Sequence, residues 1–248
     1  MTLQKLADMT RTLGEPWRDY VVVGEGNTSM RIDDDSFYVK ASGQQMETID
    51  TDGFVAVRFA EMLALFDDPP RTRSEQKARM MAARLNQSNE VAPSIETSFH
   101  AMLLHDTGAA FVGHTHPTPV NQLACSNQAR TFAEKRLFPD HAVLCGPEAV
   151  FVPYADPGLP LAQAIRTEVK AYMDKFEAHP HEIVLANHGL IVLGQSPQEI
   201  LNITAMSVKA AKILVGALSV GEPVYMEPAD VLHIYQRPDE IYRRDRFK

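Results

Sequence analysis

The stretch GAAFVGHTHPTP, residues 108–119, decides how this chain reads. An apolar run ends in two histidines one residue apart, His114 and His116, and prolines follow at 117 and 119. Side chains alternate along a strand, so the two imidazoles face the same way, roughly 6.5 Å apart at the backbone, while Thr115 faces away. Pro117 and Pro119 cannot donate in a ladder, so the strand is expected to end there, at the rim of a cleft. Two imidazoles so placed either converge on one ion or form a polar pair at a strand end.

Upstream, LQKLADMTRTLG (3–14) repeats Leu3, Leu6, Met9 and Leu13 at helical spacing and closes on Gly14. DYVVVG (19–24), NTSMRI (27–32) and SFYVKAS (36–42) are short runs rich in β-branched and aromatic residues, separated by GEG and DDD, and predict antiparallel strands joined by turns. EQKARMMAARLN (75–86), ETSFHAMLLHD (96–106) and PLAQAIRTEVKAYMDKF (160–176) have helical patterns. Between and after them, AAFVGHTH (109–116) and EIVLANHGLIVLG (182–194) read as extended. SPQEILNITAMSVKAAKILVGAL (196–218) predicts one long helix with Ser196 as N-cap and Pro197 at its first position. FDDPPRTRS (66–74) is the most loop-like piece, and it joins elements of one unit. The mixture predicts a layered α/β sandwich.

With 248 residues, the chain is expected to form a single domain over 1–248 whose core needs neither disulfide nor metal to hold it. Any metal would serve chemistry. The net charge is −8, and the only basic cluster, YRRDRFK (242–248), is interrupted by Asp245, so a nucleic-acid partner is not expected. That tail reads as a solvated end or an arm on a neighbouring subunit. The two cysteines, Cys125 and Cys145, form no CxxC pair and fit a reducing compartment. No stretch has the composition of a signal peptide or approaches the ~20 apolar residues of a membrane span, so a cytoplasmic protein without membrane contact is the expectation.

Three further stretches carry candidate chemistry. In EIVLANHGLIVLG, Asn187 and Gly189 suit a sharp reversal from which His188 projects, either as an exposed turn residue or as the third imidazole of a metal site with an open position. In APSIETSFHAML (92–103), Ser94 reads as an N-cap and Glu96 as a first-turn carboxylate, stabilised by the helix dipole or serving as a general base. His100 shares that helical face and packs on the sheet. GEGNTS (24–29) and VKASG (39–43) are glycine turns whose N–H groups, with Asn27, Ser29 and Ser42, can cradle an anion or simply close hairpins.

In order, GNTS, ASG, PSIE, HTHP and NHG resemble the class II aldolase/adducin family, which includes the fuculose phosphate and rhamnulose phosphate aldolases. The resemblance implies a three-layer α/β/α sandwich around a largely antiparallel sheet, usually a homotetramer with sites near subunit boundaries. It implies His114, His116 and His188 as ligands of a divalent ion, Zn²⁺ first among the candidates, and Glu96 as the catalytic carboxylate. It assigns Gly26, Asn27, Ser42, Gly43 and Ser94 to the substrate phosphate. The implied reaction cleaves or forms a carbon–carbon bond of a ketose phosphate through a metal-stabilised enediolate, with dihydroxyacetone phosphate and an aldehyde as the two halves. Decarboxylation of a 3-oxo sugar-acid phosphate and 4-epimerisation of a pentulose phosphate use the same implied metal site, and an adducin-like scaffold uses none.

The chain departs from the aldolase pattern twice. Ile95 stands where those enzymes tend to have a second serine, with Lys40 as a substitute source of charge. PDHAVLCG (139–146) lacks their tyrosine, leaving His141, Tyr235 or Tyr242 as candidate proton donors.

Overall fold

The computed structural model describes residues 2–88 and 91–246. The first helix, α1 (Leu3–Leu13), ends at Gly14 as its spacing predicts. Three strands follow, β1 (Asn27–Arg31), β2 (Ser36–Lys40) and β3 (Phe54–Arg58), then helices α2 (Phe59–Asp67), α3 (Arg73–Ala82) and α4 (Thr97–Thr107). Next come β4 (Phe111–Thr115), α5 (Thr118–Ala124), α6 (Ala129–Glu134) and α7 (Pro139–Cys145). The chain continues through β5 (Val150–Val152), α8 (Leu159–Phe176), β6 (Glu182–Leu185) and β7 (Gly189–Gly194). It closes with α9 (Pro197–Val220), α10 (Pro228–Gln236) and α11 (Pro238–Arg246).

The strands form one sheet in the order β3-β2-β1-β4-β7-β6-β5, antiparallel except for the β5–β6 pair. Period-two alternation fills both of its faces. Along β4, Phe111 enters one core cluster and Val112 the other; along β7, Leu190 and Val192 go to the first, Ile191 and Leu193 to the second. Helices α2, α3, α4 and α8 cover the face containing Val112, and α1, α5, α6, α7 and α9 cover the opposite face. This is the expected α/β/α sandwich around a mostly antiparallel sheet.

The segment DYVVVG is not a strand. β1 already has β2 on one side and β4 on the other, leaving no edge for the chain that precedes it. Residues 19–26 instead wrap the end of β4: Tyr20 O accepts from His116 N at 2.8 Å and Asp19 O accepts from Thr118 N at 3.2 Å. Val22 and Val23 are left exposed, and Val23 adopts φ 56°.

The loop expected at 66–74 is confined to residues 68–72, because α2 runs through Asp67 and Thr72 caps α3, its side chain accepting from Glu75 N. The basic tail forms α11 and packs on its own chain, with Arg243 paired to Asp140 and Arg244 Nη1 donating to Val143 O. Its last two residues, 247 and 248, lie outside the described ones.

Ser196 caps α9 by accepting from Glu199 N, as expected. Contrary to expectation, this 24-residue helix is long and apolar enough to cross a membrane, with mean hydropathy 1.5 over its most apolar window. Its composition has a packing reason: Ile200, Ile203, Val208 and Leu214 are buried in the same cluster as α1 and one face of the sheet. Ile200 lies over Gly113, where a Cβ would come within 2.8 Å of its Cγ2. Ile200→Ala is expected to cost ~2–5 kcal/mol in denaturant unfolding through the cavity it leaves; a loss below ~1 kcal/mol would contradict this packing account.

Candidate metal centre

The ends of three elements meet beside β4. His114, in register with Asn27 of β1 on one side and Ile191 of β7 on the other, is fully buried. His116 lies one residue past the strand, and His188 projects from the β6–β7 reversal, where Asn187 takes the left-handed conformation (φ 55°). One nitrogen from each ring lies within 4.8 Å of the other two. Gly189 permits this approach, since a Cβ there would meet Thr115 O at 2.6 Å and His116 Cδ2 at 2.7 Å.

The tautomers suit a cation. His114 Nδ1 donates to Leu190 O at 3.0 Å, which leaves its Nε2 as a lone pair. His116 Nδ1 faces Glu25 Oε1 at 3.6 Å, so its Nε2 is turned inward as well, 3.0 Å from His114 Nε2. Ligand nitrogens of a tetrahedral site stand about 3.3 Å apart. Two inward lone pairs this close repel unless a cation lies between them, so the donor set fits a divalent metal. Burial, the largest effect for each ring, holds all three imidazoles below their ordinary titration range, His114 well below and His188 at about 4. They are therefore neutral at neutral pH, the form in which an imidazole can offer a lone pair to a cation.

Glu96 faces this group, with Oε1 3.4 Å from His188 Nε2 and Oε2 3.5 Å from His114 Nε2. It stands at the N-cap of α4 without capping it, one position earlier than a first-turn residue. Ser94 Oγ accepts from Glu96 N at 3.3 Å instead, and this bend aims the carboxylate at the imidazoles. Burial raises the Glu96 pKa, opposed by the Asn27 amide and by Lys40.

A directed hydrogen-bond chain holds the carboxylate in place. Ser29 Oγ donates to His100 Nδ1 at 2.7 Å, His100 Nε2 donates to Asn27 Oδ1, and Asn27 Nδ2 donates to Glu96 Oε2 at 2.7 Å. The first link requires neutral His100, whose pKa burial pulls down to about 3 with Lys40 adding to the shift. His100 thus packs on the sheet as expected and also orients Asn27. Lys40 is buried and lowered to about 8, and its charge bears on Glu96.

The remaining expected residues divide into two groups. Asn27 and Ser94 are buried partners of Glu96. Gly26 (φ 69°) lets its turn lie against the His114 carbonyl, where a Cβ would sit 2.8 Å from the oxygen. Ser42 and Gly43 are exposed, in the turn after β2. None of the three candidate proton donors is brought to the imidazoles within this chain. His141 is fully buried between Phe132 and Phe138, Tyr235 bonds His181 at 3.1 Å, and Tyr242 bonds Arg246.

Sequence reasoning missed Glu25 behind His116, and Asn121, whose Nδ2 donates to His188 O at 3.0 Å. Glu25 had a signal, since it sits in a glycine turn next to a candidate residue. Asn121, on α5, had none.

A second group, His141, Cys145 and Glu182, also has donor atoms within 4.8 Å. There, Arg136 Nη2 lies 3.1 Å from Glu182 and the guanidinium also donates to four carbonyls. A buried cation already neutralises that carboxylate, and burial pushes the Cys145 thiol well above its ordinary value. The cluster is a buried ion pair linking the α6–α7 turn to β6.

The architecture and this centre define a sandwich with a three-imidazole, one-carboxylate pocket at the sheet's end. The chain matches the family model of the Class II Aldolase and Adducin N-terminal domain over residues 4–215. It therefore belongs to the class II aldolase/adducin family. It is 26% identical over 185 residues to the uncharacterized oxidoreductase YuxG of Bacillus subtilis (strain 168), covering 71% of this chain and 24% of YuxG. The chain thus spans about a quarter of that relative's length. Among solved structures, the N-terminal class II aldolase domain of a conserved protein from Thermoplasma acidophilum superposes with TM-score 0.67 at 27% identity, covering 87% of this chain and 94% of that one. An L-fuculose 1-phosphate aldolase superposes with TM-score 0.71 at 18% identity over 94% of each chain. The family fold is an enzymatic one.

Two outcomes test this geometry. Glu25→Gln is expected to weaken divalent-metal affinity about 10-fold or more, read by competition with a chelating dye, because His116 loses its orienting carboxylate; unchanged affinity would remove Glu25 from the site. His100 and His141 take protons in the unfolded chain near pH 6.5 but are held below that in the fold, His100 at about 3. Below pH 6.5 the unfolded state binds more protons, so stability falls with pH by on the order of 1 kcal/mol per unit for each group. Denaturant midpoints between pH 7.5 and 5 check this, and a flat profile would contradict it.

Proposed function

We propose that the protein is a metal-dependent aldolase that cleaves or forms a carbon–carbon bond in a ketose, in the first instance a ketose 1-phosphate. One observation carries this reading: a buried carboxylate stands within 3.5 Å of two of three converging imidazoles, held there by an amide that cannot take its proton. His114, His116 and His188 would hold the ion, Zn²⁺ being the metal such a set suits well. When bound, a divalent ion supplies Lewis acidity toward the carbonyl and hydroxyl oxygens of the substrate.

The chain's own residues do the rest. Glu96, with its pKa raised, takes and returns the proton at the substrate carbon next to the carbonyl. Asn27 fixes one carboxylate oxygen, leaving the other free to face the substrate. Gly26, Asn27, Ser42, Gly43 and Ser94 form the wall on which the substrate phosphate would rest. The same proposal includes the wider expectations: one functional unit, a homotetramer, a cytoplasmic setting, and small sugar or sugar-phosphate substrates.

A second reading has an observation in its favour. In cleavage, the aldehyde oxygen needs a proton partner, and α7 supplies none to the centre: it carries no tyrosine, and its His141 is buried elsewhere. Decarboxylation of a 3-oxo acid phosphate needs no such group.

Metal-loaded protein is expected to release dihydroxyacetone phosphate from at least one ketose 1-phosphate, and a chelator to abolish the release. His114→Ala and His188→Ala are expected to lose the metal, whereas Glu96→Gln keeps it and loses at least about 100-fold in rate. Full metal content in both histidine variants, or an unimpaired Glu96→Gln enzyme, would contradict the assignments. Loss of carbon dioxide from an oxo-acid phosphate with no aldol cleavage would favour the second reading.

A further inference from the structure

His116 borders two spaces. Its Nε2 turns toward the other imidazoles, while its Nδ1 edge faces Glu25, and both residues line a separate open cavity of about 360 Å³. Asn121, whose amide donates to the carbonyl of His188, lines the same cavity. An imidazole of the metal centre and two residues that support the centre therefore form one wall. The loop before β1 supplies a second wall through Asp19, Val21 and Val22, and the start of α5 a third through Thr118 and Gln122.

The polar groups of this lining are free and of one character. The Asp19 carboxylate, the Thr118 hydroxyl and the Gln122 amide have no side-chain hydrogen bond or ion pair among the described residues. Asp19 and Glu25 carry negative charge, and no lysine or arginine lines the cavity. A phosphate or carboxylate entering it would meet like charge with no cation to offset it, whereas a hydroxyl can donate to the carboxylate and accept from the amide. Val21 and Val22 add apolar surface suited to the C–H groups of a carbon chain.

The loop that carries Asp19 is held in an uncommon form. Asp19 and Val23 both take φ 56°, in the left-handed region that a β-branched residue such as Val23 rarely enters. Glu25 Oε2 accepts from Val22 N at 2.9 Å and Asp19 O accepts from Thr118 N at 3.2 Å, which pins this backbone to α5 while the other oxygen of Glu25 faces His116. Backbone strain persists only where surrounding contacts over-determine it, and here those contacts fix a wall of the cavity.

We propose that this cavity receives the uncharged, hydroxylated end of the substrate, with Asp19 accepting from its hydroxyls and Thr118 and Gln122 supplying the remaining hydrogen bonds. The assignment rests on reading the imidazole–carboxylate centre as an enzyme site, since a ligand held there and extending past the His116 ring enters the space of which that ring is a wall. It makes residues 19–25 and α5 the elements that select a neutral end over an anionic one.

Ligand binding to the full-length, cobalt-loaded protein, read from the cobalt absorption spectrum, tests this. The Glu96→Gln background keeps the ligands from being turned over. The probes are ketohexose 1-phosphates of differing configuration, their 1,6-bisphosphates, and dihydroxyacetone phosphate, which lacks the hydroxylated end. At least one 1-phosphate is expected to bind about 10-fold or more tightly than its 1,6-bisphosphate. Adding Asp19→Asn/Gln122→Ala is expected to weaken that 1-phosphate about 10-fold while leaving dihydroxyacetone phosphate within about twofold. Equal weakening of both ligands, unchanged affinity for both, or bisphosphates bound as tightly as 1-phosphates overturns the assignment. Selective binding without release of dihydroxyacetone phosphate by the Glu96 enzyme supports the subsite and removes the aldol chemistry; release from bisphosphates as readily as from 1-phosphates keeps the chemistry and overturns the subsite. No spectral response to any probe overturns the subsite together with the centre it adjoins.

Discussion

The structure depends on burying three imidazoles and a carboxylate together at the end of β4. Desolvation keeps the imidazoles neutral and inward-facing while making a proton easier for Glu96 to hold. Both effects follow from one topological fact, that β4 lies between β1 and β7 in the middle of the sheet. That position brings Asn27 alongside His114, places the Leu190 carbonyl behind it, and allows the β6–β7 reversal to deliver His188. A shift of β4 by one residue would turn His114 away from the centre and onto the opposite face of the sheet.

Neighbouring groups then set the direction of each polar contact. Leu190 O fixes the tautomer of His114, and Glu25 does the same for His116. The relay from Ser29 through His100 to Asn27 ends by donating to Glu96, which leaves the carboxylate oriented and still able to accept a proton. Lys40 stabilises the ionised form of Glu96 without a direct bond, opposing the desolvation that favours the neutral one. Burial thus raises the Glu96 pKa while Asn27 and Lys40 oppose the rise, a shift in the direction that suits a group taking and giving a proton.

Much of the fold was legible because its signals are local: the period of α1, the cap of α9, the β6–β7 reversal and the strand ended by prolines all lie within a few residues. The strand expected at DYVVVG was not observed because strand pairing is decided by the neighbours available in the sheet, which β-branched composition does not reveal. His114, His116, His188 and Glu96 could be picked out by residue type and order, and the structure brings them together. The role of His100 was hidden because it acts through Asn27, 73 positions away. Asn121 and the Arg136–Glu182 pair were equally silent, being contacts between distant segments that no spacing rule reaches.

The central claim is that the metal belongs to the imidazole group and not to the buried His141–Cys145–Glu182 cluster. X-ray absorption spectroscopy of the zinc-loaded protein separates the two directly. The account predicts nitrogen and oxygen scatterers at about 2.0–2.1 Å with the multiple scattering of three imidazoles, and no sulfur. A sulfur scatterer at about 2.3 Å, persisting in His114→Ala and lost in Cys145→Ser, would contradict it.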